Sequence, residues 1–148
     1  MKPTFWKLSQ GTEFFNYSEM IKSIDDRLVF VDKDTKAKAT SNNTQGHDFI
    51  NAKIGDYFYL TYGNEGIFIL GQFTSPANFF SEHKKGWMDR QFRLIAHSNK
   101  RGSYDGEQKW WTPNDNSTFI KIPTKEHSLF EKLILEPYFD IKLKDYAL

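Results

Sequence analysis

The chain has 148 residues, a length that fits one domain with a real hydrophobic core. Its 39% apolar and 26% charged residues exclude a disordered or low-complexity chain, and the lack of cysteine excludes a disulfide framework and a thiolate metal site. The net charge of +1 excludes a histone-like polycation, and no apolar stretch reaches the ~20 residues that a membrane span needs. Aromatic residues make up 17%, which suits strands and flat contact surfaces better than a helical bundle. Thr4 to Leu8 reads as a short aromatic strand ending at Ser9-Gln10-Gly11. It opens the chain with no signal peptide before it, so a cytoplasmic location is expected. A helix then starts at Asn16, with Glu19 completing a capping box and Phe15 and Met20 placed as a hydrophobic staple. Met20, Ile21 and Ile24 share its inner face, and it ends near Asp25-Asp26-Arg27. Leu28 to Val31 reads as a second strand.

Asp32 to Asn51 is polar and reads as a long loop, often a binding element in a small domain. Tyr57 to Tyr62 and Ile67 to Phe73 flank the turn Gly63-Asn64-Glu65-Gly66 and predict a hairpin. Trp87 to His97 predicts a further strand with Met88, Arg90, Phe92, Leu94 and Ala96 on one side. Ser98 to Gln108 reads as a second long loop, and Trp110-Trp111 and Phe119 to Ile122 as short strands. His127 to Leu135 predicts a closing helix stopped by Pro137. The domain is expected to span residues 1–140, with 141–148 as a linker stub. The order of elements predicts an α+β fold: a small curved mixed β-sheet or open β-barrel with flanking helices.

Catalytic motifs are absent: there is no Walker loop, G-x-G-x-x-G, G-x-S-x-G or H-E-x-x-H. His47, His83, His97 and His127 stand far apart, so a zinc site would need ligands converging from distant loops. The domain is therefore read as a non-enzyme without cofactor or metal. Asn42-Asn43-Thr44 and Asn116-Ser117-Thr118 match the glycosylation pattern, by chance in a cytosolic chain. What remains is basic and aromatic. Between His83 and Arg101 lie Lys84, Lys85, Arg90, Arg93, Lys100 and Arg101, opposed by Asp89 alone. Such a run is either a solvated face or a phosphate contact. Trp87 follows Lys84-Lys85-Gly86, and Trp110-Trp111 follows Lys109. Aromatics interleaved with cations are what stacking bases while holding phosphates requires. Core packing is the plain alternative for each tryptophan, above all Trp6; Trp110 and Trp111 face opposite ways on a strand, so one of them is core. Trp87, in its polar basic setting, is the best surface or pocket aromatic.

Phe5-Trp6-Lys7-Leu8-Ser9-Gln10-Gly11, the hairpin ending Gly71-Gln72-Phe73-Thr74-Ser75-Pro76, and Lys85-Gly86-Trp87 leading to Arg90 and Phe92-Arg93-Leu94-Ile95 together resemble an EVE or YTH domain of the PUA-like superfamily. The opening resembles in particular the N-terminal specificity domains of McrB-type restriction systems, where an AAA+ GTPase follows. The resemblance implies a reader of modified nucleic acid that turns a methylated base into an aromatic cage. It implies that Ser9 lies beside the pocket and that Trp87 supplies a ring. Phe30 is the nearest match to an aromatic after the first helix, without the family's preceding Gly-x pattern. With Trp6 and Trp110 these residues make up the candidate base pocket. Lys84, Lys85, Arg90, Lys100 and Arg101 are the candidate backbone contacts. Expected partners are double-stranded DNA with a modified base and a C-terminal AAA+ GTPase domain, with no membrane. An RNA-binding module for modified RNA and a protein-interaction adaptor are the alternatives.

Overall fold

Six strands carry the architecture: β1 (Phe5–Ser9), β2 (Leu28–Asp32), β3 (Tyr57–Thr61), β4 (Ile67–Phe73), β5 (Trp87–His97) and β6 (Phe119–Lys121). This is seen in a computed structural model, which describes residues 2–38 and 44–146. The strands form one sheet in the order β2-β5-β4-β3-β1-β6, curled into a half-barrel. β1 runs parallel to β3, with Ser9 opposite Thr61, and every other strand pair is antiparallel. The α+β class with a small curved mixed sheet is therefore the observed one.

Both faces of the sheet are covered, so its inner strands are apolar almost throughout. Trp6 and Leu8 point into one cluster with Met20, Ile24, Phe58 and Phe119. Phe5 points the other way, into a second cluster with Tyr59, Trp111, Phe130 and Ile134. Each fully buried leucine, isoleucine or phenylalanine contributes about 1.5–3 kcal/mol. Helix α1 (Tyr17–Asp26) covers the first cluster. Its predicted capping box forms: Glu19 N–H donates to Asn16 Oδ1 at 2.8 Å, and Asn16 N–H donates to Glu19 Oε1 at 2.9 Å.

β5 bends where its register with β4 shifts: Gly71 pairs with Leu94 and Leu70 with Ala96, which leaves Ile95 unpaired as a bulge. Glycine is required at 71, because a Cβ there would lie 2.7 Å from the Phe58 ring. The expected face therefore holds through Leu94, which packs against the first cluster with Met88 and Phe92, while Ala96, beyond the bulge, packs against the second.

Three expectations need correction. The stretch read as a loop, 32–51, contains helix α2 (Gln45–Asn51), capped by Thr44. Gln45 ties it down, accepting from the N–H groups of Thr118 and Phe119 at 2.7 and 2.8 Å and donating to Lys36 O. Asn42 and Asn43 lie outside the described residues. Trp110 and Trp111 sit in turns, not in a strand. Pro137 does not stop the closing helix. Helix α3 (His127–Phe130) continues through a π-helical stretch, Glu131–Leu135, into α4 (Glu136–Phe139). The wide π turn removes the clash that a proline ring makes with an α-helical carbonyl. Asp140 then ends the helix in the left-handed conformation. Beyond it, Ile141 and Leu143 pack against the second cluster, and Leu143 N–H donates to Glu131 Oε2 at 2.5 Å. The expected linker stub is thus anchored as far as it is described.

Candidate nucleic-acid cleft

β1 ends at Ser9 because Gly11 and Thr12 turn the chain toward α1, and that end lies beside the Gly63 turn after β3. Gly63 adopts φ +51°, a left-handed turn conformation. The start of β5 and the end of β2 pair as Trp87 with Asp32. Curling of the sheet brings these two ends together around a cleft of about 560 Å³. Ser9 and Trp87 both line it, with Phe14 and Phe15 against Trp87 and Asn116 to Thr118 on the side of Ser9, whose N–H donates to Thr118 O at 2.7 Å. Trp87 is 8% exposed, so its ring is largely packed while one part faces the cleft. Phe14 is 46% exposed and meets Trp87 edge-on at 5.6 Å. The charged side chains lining the cleft are all acidic: Glu13, Asp32, Asp34 and Asp115.

Cations stand outside this lining. Lys84 and Lys85 are exposed. Lys84 Nζ lies 5.7 Å from the centre of the Phe14 ring and donates to Phe14 O at 3.4 Å. Arg101 lies 3.9 Å over the Phe68 ring, in an adjoining cleft that shares Thr12 with the first. Lys100 is exposed, with Nζ 4.7 Å over the Tyr138 ring, on the side of the second cluster. Arg90 does not reach the surface, which corrects its expected contact with nucleic acid. It is 1% exposed and donates to Ser75 O and Phe49 O at 2.9 Å and to Ala52 O at 2.6 Å. Its guanidinium also covers the Phe73 ring at 4.2 Å. Burial lowers its pKa to about 10, which leaves it charged near neutral pH. A guanidinium fits here because its fork of donors serves several carbonyls at once, and it holds the end of α2 on the sheet.

The other expected pocket residues disperse. Trp6 is buried, stacked on Phe119 at 4.4 Å, with Nε1–H donating to Asp56 Oδ2 at 3.0 Å. Its edge reaches a separate cleft of about 400 Å³ shared with the exposed Trp110. Neither ring lines the cleft of Ser9 and Trp87. Phe30 lines a neighbouring cleft of about 650 Å³, beside Phe15 and His83. Gln10 places Phe30: its Oε1 accepts from Phe30 N–H at 3.0 Å, and its Nε2 donates to Ser23 Oγ in α1 at 3.2 Å.

Sequence reasoning missed three contributors. Phe15, expected only as a staple, is the ring shared by both clefts. His83, set aside as a lone histidine, lies parallel to Phe15 at 4.8 Å with an interplanar angle of 1°. It also meets Phe30 at 4.7 Å and Trp87 at 5.4 Å. Burial first, then Lys84, hold its pKa below the usual histidine value, against a pull from Glu19, so the ring stacks in neutral form. Lys7 is fully buried under the wall of the cleft, donating to Ser117 Oγ at 2.7 Å and to Asp115 O at 2.9 Å. Burial lowers its pKa to about 7, partly offset by Asp115. The alternation of β1 was the available signal: Lys7 shares a face with Phe5, an inward position.

Among the described residues no group of three or more histidine, cysteine or carboxylate side chains is placed to hold a metal. No described helix is long and apolar enough to cross a membrane. No protein-family model matches the chain, and no curated protein matches it. Solved structures do. Protein Atu2648 from Agrobacterium tumefaciens aligns with a TM-score of 0.51 at 10% identity, over 84% of this chain and 88% of its own. A hypothetical protein from Leishmania major aligns at 0.52 and 13% identity, over 88% and 94%. Rpa0253 from Rhodopseudomonas palustris aligns at 0.50 and 10% identity, over 88% and 92%. At such identities the likeness speaks for the shared fold alone.

Proposed function

We propose that this chain is an EVE/YTH-like module of the PUA-like superfamily that binds duplex DNA and reads a methylated base turned out into the cleft of Ser9 and Trp87. One observation carries the reading. Ser9 and Trp87, far apart in sequence, line a single cleft, and the exposed Phe14 joins them. The distribution of charge supports it. Acidic acceptors line the interior, where they suit the exocyclic amino group of a base, while Lys84, Lys85 and Arg101 stand outside, where phosphates pass. A turned-out base loses a few kcal/mol of stacking and pairing, and aromatic rings return ~1–3 kcal/mol each. On this reading the domain is not itself an enzyme. It works in the cytoplasm as the specificity domain of a McrB-type restriction system, whose AAA+ GTPase supplies the motor.

Fluorescence anisotropy with duplexes carrying N6-methyladenine, 5-methylcytosine or no mark tests this. One modified duplex is expected to bind more tightly than the unmodified one, with affinity falling steeply as salt rises. Lys84→Glu with Lys85→Glu should weaken all duplexes alike and flatten the salt slope by about 2. Equal binding of all three duplexes, or none at low salt, sinks the reading.

A further inference from the structure

Phe15, Phe30 and Trp87 come from three different segments and form a three-sided notch of rings, and the chain fills that notch with its own His83. The imidazole lies flat on Phe15, as a planar ligand ring would. It is nevertheless badly provided for: Nε2 is buried with no hydrogen-bond partner among the described residues. A core histidine kept for packing has its nitrogens satisfied, so an unpaired one raises the free energy of this arrangement.

The segment carrying His83 is loosely held. Residues 79–86 have no helix or strand. Among the described residues, His83 N–H donates to Ser81 Oγ, two residues away, at 3.2 Å. Phe79 and Phe80 before it are 57% and 86% exposed. Gly86 after it has φ +85°, a conformation that glycine adopts freely, and its carbonyl accepts from Lys33 N–H at 3.0 Å, so the segment is anchored at that end and loose only before it. Lys84 and Lys85 sit on the same segment, so a phosphate that draws them outward draws His83 with them.

We infer that His83 is a displaceable plug: it closes the notch of Phe15, Phe30 and Trp87 in the free protein and leaves when a turned-out base takes its place. The inference rests on the proposed function for its ligand, while the plug itself rests on the ring geometry. Exit of His83 exposes the Phe15 face between the two clefts that Phe15 already lines. Base entry and plug exit are then one exchange of rings, in which the stacking that the base gains on Phe15 is reduced by the His83 stack given up.

The test uses the whole chain and short duplexes with one N6-methyladenine or one 5-methylcytosine. In the free protein the His83 ring protons should resonate far upfield, under the Phe15 ring current. On addition of the duplex they should move to positions of a solvent-exposed histidine. His83→Ala should tighten binding roughly three- to tenfold, since no ring need be expelled. His83→Phe keeps the stack and removes the unpaired nitrogen, so it should weaken binding. A packing role would lower affinity in both variants. Binding with His83 unmoved, or with both variants weakened, overturns the plug and leaves the nucleic-acid reading standing. Binding of neither duplex by wild type and His83→Ala overturns both. Tight binding by His83→Ala alone supports the plug most strongly.

Discussion

Two parallel ring pairs differ in what surrounds them. Trp6 lies on Phe119 at 4.4 Å and 11°, and His83 lies on Phe15 at 4.8 Å and 1°. Trp6 and Phe119 both belong to strands, β1 and β6, which are joined through their backbones. The polar atom of Trp6 has Asp56 as its acceptor. His83 belongs to a segment without regular structure, and its Nε2 has no partner among the described residues. Stacking alone therefore does not tell a structural ring from an exchangeable one. The satisfaction of the polar edge and the rigidity of the carrying element do.

The comparison breaks first at Trp6. Trp6→Ala should cost roughly 3–5 kcal/mol of stability, because the ring is buried and its removal leaves a cavity and takes one of two donors from Asp56 Oδ2, which keeps Lys53 N–H. Urea unfolding measures this. A loss below about 1 kcal/mol would put the Trp6 pair in the same class as the His83 pair.

Lys7 sharpens the comparison on the side of the cleft wall. Its pKa falls from 10.5 to about 7 on folding, so between those pH values the unfolded chain holds a proton that the folded chain lacks. Stability must then rise with pH across that window and stay level, as far as Lys7 is concerned, below it. The raised pKa of Tyr59 and Tyr104 reverses the trend above about 10, where unfolded tyrosines ionise first. From pH 7 to pH 9 the gain should be on the order of 2 kcal/mol, read from urea midpoints. Lys7→Met should flatten it. An unchanged slope in that variant would mean that Lys7 keeps its charge when buried.

The smallest effect is expected at Trp110. It is 51% exposed and lines the cleft on the Trp6 side, away from Ser9. Trp110→Ala should change stability by no more than about 0.5 kcal/mol and leave duplex affinity unaltered. A drop in affinity would move the binding face to that side.

Local chemistry was legible before folding. The bounds of β4 and β5 follow from apolar runs closed by glycine, proline or polar residues, and the start of α1 follows from Asn16 and Glu19, whose partners lie three residues away. Ser9 and Trp87 were also within reach, because each stands at the end of a strand that the sequence marks plainly. α2 escaped because its polar surface hides its reason for being helical, which is Gln45 bonded to a segment far along the chain. Arg90 escaped in the same way: among basic neighbours it reads as surface charge, and only folding brings the carbonyls of Phe49 and Ala52 at the end of α2, and of Ser75 after β4, around it. The dispersal of Trp6, Phe30, Trp87 and Trp110 among three clefts was likewise decided by the curl of the sheet. Composition and spacing determine which segments become strands and helices, since those energies act over a few residues. Which rings share a cavity, and which nitrogen is left without a partner, depends on contacts between distant segments, and these exist only once the sheet has assembled and curled.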